Sequence, residues 1–271
     1  MVKELSITTE QFSEIKHRNI YLIGSGWKPI SMIDVYNSVT FTLWLCGCNL
    51  KCPFCHNWML AINHPSTCRY LDINKLIEEL ESARILIDYL HVTGGEPLIQ
   101  YRELEKILSL AKNNIGVNIS INTNFTLYKP LKHLIDSGIV DHLATDLKIP
   151  YDLLYGHSKE VADTLWKLFI KSLALVSEYN VPLELRIPVM KNINIKIFRK
   201  YLAEALDKLD KHNNYYVIIQ PLLGPPITNP RNPEWCRKYC DPDKHTLYLI
   251  KNELENMGIQ RLIVRETLSF G

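Results

Sequence analysis

The sequence predicts an α/β fold built from about six parallel strand–helix units. Short apolar strands alternate with amphipathic helices, the order that makes parallel sheets. The strands have two unlike faces, one apolar and one polar. The composition is globular: of 271 residues 46% are apolar and 22% charged, enough to bury a core without disulfide staples. Six such units fit an α/β barrel, complete or incomplete, better than a sandwich.

Residues 1–38 read as an N-terminal extension with a turn at Gly24-Ser25-Gly26, and residues 39–271 as one barrel domain. Thr40–Leu45 is the first barrel strand. Ile73–Leu86 has helical periodicity with Asp72 as its N-cap. Leu90–Thr93 is a strand and Arg102–Asn113 a helix. Val117–Asn122 is a strand, and Pro130–Asp136 a helix stopped by Gly138. Strand Asp141–Lys148 precedes helix Val161–Glu178, and strand Leu183–Pro188 precedes helix Ile195–Leu209. Tyr216–Gln220 is a strand, Lys244–Asn256 a helix ending before Gly258, and Arg261–Val264 a last strand. The Pro-rich stretch Pro225 to Pro242 reads as an ordered loop over the barrel mouth.

Charge excludes little and shapes much. With 31 Lys+Arg against 29 Asp+Glu, the net charge is +2. No broad electrostatic footprint for nucleic acid is visible. Lys196, Arg199, Lys200, Lys208 and Lys211 are interleaved with Glu204, Asp207 and Asp210, the pattern of a solvated helix face. Nucleic acid is therefore not an expected partner. No apolar run approaches the length of a membrane span, and Met1 to Asn19 has no signal-peptide core. A soluble cytoplasmic protein is expected.

The strand faces carry the first functional signal. Phe41, Leu43, Leu45, Val117, Ile119, Ile121, Leu143, Thr145, Leu147, Leu183, Leu185 and Ile187 lie on the face that packs on helices. The other face carries Thr40, Thr42, His91, Thr93, Asn118, Ser120, Asn122, Asp146, Lys148, Glu184, Arg186 and Gln220. A closed eight-stranded barrel fills its interior with branched apolar side chains. A polar, charged interior implies either a wet or ligand-filled lumen, or a salt-bridge network between Asp146 and Lys148 or Arg186.

Three cysteines follow the first barrel strand: Cys48, Cys52 and Cys55, in Cys46-Gly47-Cys48-Asn49-Leu50-Lys51-Cys52-Pro53-Phe54-Cys55-His56-Asn57. Thiolates select zinc or an iron–sulfur cluster. A structural zinc takes four ligands, and His56 or Cys46 would be its fourth. A cubane cluster on three thiolates leaves one iron open to a small ligand.

The triplet Cys48-x3-Cys52-x2-Cys55, with Phe54 before the last cysteine, resembles the signature of the radical S-adenosylmethionine (SAM) superfamily. Thr93-Gly94-Gly95-Glu96-Pro97 resembles the GGEP motif of the same family. The resemblance spans roughly Thr40 to Gln220. It implies a partial (β/α)6 TIM-like barrel, with the active site at the C-terminal ends of the strands and a C-terminal loop and helix over the mouth. It implies a [4Fe–4S] cluster on Cys48, Cys52 and Cys55, and SAM beside Gly94, Gly95, Glu96 and Phe54, with Glu96 facing the methionyl ammonium.

Asn122-Thr123-Asn124-Phe125, Asp146-Leu147-Lys148 and the segment around Arg186 resemble the DTNG, DLK and fifth-strand Arg segments of the activating enzymes of pyruvate formate-lyase and anaerobic ribonucleotide reductase. By that resemblance Asn122, Asn124, Asp146, Lys148 and Arg186 surround the ribose, sulfonium and carboxylate. Asn122 and Phe125 depart from the DTNG pattern. Ser31 and Asp34 match the family's approach to the first strand, whereas Tyr36 and Asn37 stand where it has Pro-Gly.

The activity so implied is oxidoreductase chemistry. Reductive cleavage of SAM gives a 5′-deoxyadenosyl radical that abstracts hydrogen, with electrons from a flavodoxin- or ferredoxin-like donor. The substrate is a glycyl radical enzyme or, alternatively, a small molecule or nucleotide in the lumen. Cys46, Cys68, Cys236 and Cys240 remain over, open to an auxiliary metal site, a Cys236–Cys240 disulfide or free thiols.

Overall fold

The structure, a computed structural model, describes residues 20–209 and 214–265. Asp210, Lys211 and the first nineteen residues of the expected extension lie outside them. Nine strands form one sheet in the order β3-β1-β2-β4-β5-β6-β7-β8-β9. Here β1 is Ile23–Ser31, β2 Thr40–Leu45, β3 Arg69–Tyr70, β4 Tyr89–Gly94, β5 Asn118–Asn122, β6 His142–Asp146, β7 Leu183–Val189, β8 Tyr215–Pro221 and β9 Leu262–Val264. From β2 through β9 every neighbouring pair is parallel. β1 adds antiparallel to β2, and β3 to β1. The end strands β3 and β9 do not pair, so the sheet is an open, partial barrel.

Helices follow the strands, most of them packing on the apolar face. They are α1 (Trp58–Ala61), α2 (Ile73–Ala83), α3 (Tyr101–Leu110), α4 (Tyr128–Asp136), α5 (Tyr151–Leu154), α6 (Lys159–Glu178), α7 (Ile195–Asp207), α8 (Pro233–Tyr239) and α9 (Lys244–Asn256). α2 starts where Asp72 accepts a hydrogen bond from Lys75 N and buries Ile73, Leu76, Leu80 and Ala83. It ends earlier than its periodicity implied, because Ile85 and Leu86 turn outward into solvent. α3 runs on through a wide turn over Ala111–Ile115 and stops at Gly116 in the left-handed region. Asn194 and Asp243 cap α7 and α9. Phe41, Leu43, Ile119, Ile121, Leu143, Leu183 and Leu185 are fully buried beneath these helices.

Gly24-Ser25-Gly26 is not a turn. It is a bulge inside β1, where the register with β2 shifts between Gly24 and Gly26. A Cβ on Gly24 would lie 2.5 Å from Trp44 O, so the glycine permits the close pairing. The Pro-rich stretch holds a helix, α8, started by the Asn232 side chain accepting from Trp235 N.

The β1–β2 connection ties the sheet across its lower end. Asp34 Oδ2 accepts from Thr42 Oγ1 of β2 at 2.8 Å, and Asp34 O from Arg186 Nη2 of β7 at 2.9 Å. Tyr36 N donates to Glu184 Oε2 at 3.0 Å, and the Tyr36 ring lies 5.8 Å from that of Tyr216. One short segment touching β2, β7 and β8 requires a strongly curved sheet.

Candidate functional site

The cysteine loop leaves the C-terminal end of β2 and is braced on every side. Gly47 N donates to Leu60 O at 2.8 Å, Lys51 N to Tyr155 O at 3.0 Å, and Glu96 N to Gly47 O at 2.7 Å. Gly95 presses on this loop: a Cβ there would lie 2.1 Å from Gly47 O, and one on Gly94 2.3 Å from Leu45 O. Gly94 also takes φ +116°, a backbone open chiefly to glycine. These two glycines let the β2 and β4 ends meet.

Among the described residues Cys48, Cys52 and Cys55 are the free thiols. Burial pushes the Cys48 thiol up to about 11 and the Cys52 thiol up to about 12. It also raises Cys55, against the opposing pull of Arg231. Three soft donors thus share a desolvated loop, a donor set fit for a cluster that replaces their protons with iron. Among the described residues no three His, Cys, Asp or Glu groups converge on a single-ion site. The other four cysteines form the disulfides Cys46–Cys68 and Cys236–Cys240. Of the alternatives for Cys236 and Cys240, this structure has the disulfide, and Cys46 and Cys68 are paired as well.

Glu96 is fully buried, and the chain itself supplies three donors to its carboxylate. Oε1 accepts from Leu98 N at 3.0 Å and Thr123 Oγ1 at 2.7 Å, and Oε2 from Asn124 N at 2.7 Å. The carboxylate caps the turn after β4 and ties it to the loop after β5. Asn124 continues the brace, donating from Nδ2 to Asn49 Oδ1 at 2.8 Å, with Cys48 Sγ at 4.0 Å. Phe54 packs its ring 6.1 Å from that of Trp235 and joins a small core with Leu154, Met190 and Leu222.

The polar strand face carries three hydrogen-bonded groups. Lys148 Nζ meets Asp146 Oδ2 at 2.9 Å. Burial alone would raise the Asp146 carboxyl, yet the Lys148 and Arg186 cations hold it below its ordinary range. Its Oδ1 is buried without a partner. Arg186 pairs with Glu184 through Nε, and Glu184 also accepts from Tyr216 OH at 2.6 Å. Asn122, with its amide oriented to satisfy both atoms, accepts from Thr93 Oγ1 at 3.0 Å and Arg186 Nη1 at 3.2 Å and donates to Ala144 O at 3.2 Å. Deeper in, Ser120 Oγ bridges His91 Nδ1 and His142 Nδ1, each at 2.8 Å. Burial lowers these imidazoles to about 3 and about 4. The salt-bridge network expected as one alternative is therefore present, with Asp146 as its open end toward the mouth.

The structure brings Cys48, Cys52, Cys55, Phe54, Gly94, Gly95, Glu96, Asn124, Asp146 and Lys148 together around the cysteine loop. Arg186 sits opposite Asp146 in the strand register but is engaged by Glu184 and Asp34 O. The Pro-rich stretch expected over the mouth reaches the cysteine loop, where Arg231 N donates to Cys55 O at 3.0 Å and Asn232 N to Pro53 O at 2.9 Å. Which of its residues make the contact is not marked by local composition. A cavity of about 340 Å³ opens beside the loop, lined by Ser25, Trp44, His56, Asn57, Trp58 and Asn229 among others.

The model of the family described as "Radical SAM superfamily" matches residues 43–205. The chain belongs to the radical SAM superfamily. Among radical SAM relatives, a Methanocaldococcus jannaschii protein provisionally named a glycyl-radical enzyme activating enzyme is 27% identical over 198 residues, 72% of this chain and 78% of that one. The 7-carboxy-7-deazaguanine synthase of Hyperthermus butylicus is 34% identical over 91 residues, 32% of this chain and 35% of that one. Streptococcus suis SuiB, solved with S-adenosylmethionine bound, shares the fold with TM-score 0.50 at 12% identity, over 81% of this chain and 48% of that one. Among the described residues no helix is long and apolar enough to cross a membrane.

Proposed function

We propose that this radical SAM enzyme is an activase that removes a hydrogen atom from a glycine of a glycyl radical enzyme. Cys48, Cys52 and Cys55 would hold a [4Fe–4S] cluster, with SAM on its open iron. When bound, the pair supplies reductive cleavage of the sulfonium to a 5′-deoxyadenosyl radical, the hydrogen abstractor. The observation that carries the cofactor assignment is the free thiol triplet, Cys52 buried and Cys48 and Cys55 half-buried, beside an unpartnered acceptor, Asp146 Oδ1.

The chain's own residues have separable tasks. Asp146 offers Oδ1 to a donor such as a ribose hydroxyl, while Lys148 holds its other oxygen in place. Gly94 and Gly95 keep the strand ends close enough for backbone carbonyls to line the mouth. Glu96 and Asn124 fix the loops on either side, and Asn122 links Thr93 to Arg186. Phe54 leans toward α8, narrowing the mouth against water. Electrons would come from a flavodoxin- or ferredoxin-like donor.

Similarity along 78% of the M. jannaschii protein supports the activase assignment. The second reading, modification of a small molecule or nucleotide, is favoured by the cavity between Trp44 and Trp58, whose indoles suit a planar substrate. The test incubates reconstituted protein, dithionite and SAM with glycyl radical enzymes of the same genome. A glycyl radical doublet in the EPR spectrum of the partner supports activation. Its absence, with 5′-deoxyadenosine released in step with turnover of a purine-like compound, supports the second reading.

A further inference from the structure

We infer that Arg231 is a positioning residue for the cluster site, a fixed cation that grips the cysteine loop and favours the reduced cluster. The inference rests on Cys48, Cys52 and Cys55 being the cluster ligands.

Arg231 reaches the loop from the far end of the chain. Its backbone N donates to Cys55 O at 3.0 Å, and its Nη1 to Leu50 O at 3.4 Å. The neighbouring Asn232 N takes Pro53 O at 2.9 Å. The stretch bearing Cys52 and Cys55 is thereby clasped from outside the barrel.

The segment that presents Arg231 is itself held firmly. Gly224 N donates to Asp241 Oδ1 at 3.0 Å, Asp241 N to Leu222 O at 2.6 Å, and Lys191 N to Tyr239 O at 2.7 Å. The Cys236–Cys240 disulfide closes the following turn.

Arg231 lacks the partners a half-buried guanidinium ordinarily has. Among the described residues no carboxylate lies within ion-pair distance of it, and its Nε is buried with no acceptor. Leaving such a donor unmet is costly, because it has lost its water without gaining an acceptor. Native structures keep such groups few, and those kept often mark a functional position. Lys148 also acts on the thiols, but Asp146 neutralises it. Among the described residues Arg231 has no such carboxylate partner, and its guanidinium reaches into the cysteine loop at Leu50 O.

The chemistry gives that charge a purpose. Reduction adds one electron to the cluster and takes up no proton, so negative charge grows on a group already carrying three thiolates. A fixed cation close by stabilises the reduced form more than the oxidised one. Charge and hydrogen bonds around the sulfurs are among the levers that set cluster potentials.

The test is an EPR-monitored redox titration of the reconstituted full chain, with dithionite as reductant and iron counted in each sample. Arg231→Gln should keep the parent's iron content, yet its reduced-to-oxidised ratio at a set potential should fall about tenfold, ~59 mV for a one-electron couple. Arg231→Lys, which keeps the charge, should restore most of that ratio. If Arg231→Gln is fully loaded and its ratio changes less than twofold, the inference is overturned. If both variants lose iron, or both shift alike, Arg231 acts through packing and the inference is likewise overturned. Iron loss in Arg231→Gln alone, with Arg231→Lys loaded and near the parent ratio, supports the need for charge. A parent that binds no cluster removes the ligand assignment itself, a distinct failure seen before any variant is made.

Discussion

Glu96 shows how much one buried carboxylate can hold. It satisfies Leu98 N, Thr123 Oγ1 and Asn124 N at once, so Glu96→Ala leaves three donors stranded. Each stranded donor costs about 1–3 kcal/mol. The variant should unfold at clearly lower denaturant, by at least about 3 kcal/mol, and Glu96→Gln should recover part of the loss. Equal denaturation midpoints for Glu96→Ala and parent would refute the bracing role. Lys148 is the contrasting case. It is nearly buried, but the Asp146 side chain keeps a quarter of its exposure, so water can reach the survivor of a broken pair. Lys148→Ala should therefore cost less than the roughly 3–5 kcal/mol usual for a broken buried pair. Release of 5′-deoxyadenosine should fall steeply in that variant. A full 3–5 kcal/mol loss with normal release per folded molecule would make the pair purely structural.

At the scale of elements, the ends of β2 and β4 are fused by glycine. A methyl on Gly95 cannot coexist with Gly47 O at 2.1 Å, and the clash is with backbone, which cannot swing aside. Gly95→Ala should displace the cysteine loop and lose most of its iron on reconstitution, where Gly138→Ala, with open space around its Cβ, should load normally. Normal iron content in Gly95→Ala would show the contact to be dispensable. The Cys46–Cys68 disulfide pins the same loop across a separation of 22 residues. Cys68→Ser should retain iron but lose about 3 kcal/mol of stability, the loop-closure value for such a ring. These elements also show what a sequence makes legible. The barrel strands announced themselves by apolar alternation, and Asp72 and Gly138 marked helix ends by chemistry local to each. The cysteine triplet and the glycine pair were legible because metal ligation and close backbone approach demand particular residue types. The bulge at Gly24–Gly26 was not legible, since it exists only through pairing with β2. Nor was Arg231, whose partners lie some 180 residues away, or the inward turn of Glu96, which depends on donors from the next strand's loop.

At the scale of the whole molecule, the open sheet curls around a polar interior closed below by the β1–β2 connection, while at the other end the segment before α8 holds the cysteine loop. The middle layer, His91–Ser120–His142, joins three strands through two imidazoles kept neutral by burial. Their folded values, about 3 and about 4, lie below the unfolded value near 6.5. Between these limits the unfolded chain binds more protons, so stability is present above about pH 6.5 and drains away as pH falls toward 4. Thermal unfolding of the full chain should show a melting temperature that drops from pH 7 to pH 5, and His142→Gln should flatten that slope. A pH-independent melting temperature over that range would mean the imidazoles are solvated. Everything above them serves the mouth, where the thiols, Asp146 Oδ1 and Arg231 meet. The most direct measurement is the EPR spectrum of the reconstituted, dithionite-reduced chain with and without SAM, with metal counted in the same sample. The account predicts about four irons per chain, a signal that changes when SAM is added, and loss of both iron and signal in Cys52→Ala. A single zinc in place of iron, or an iron signal indifferent to SAM, would contradict it.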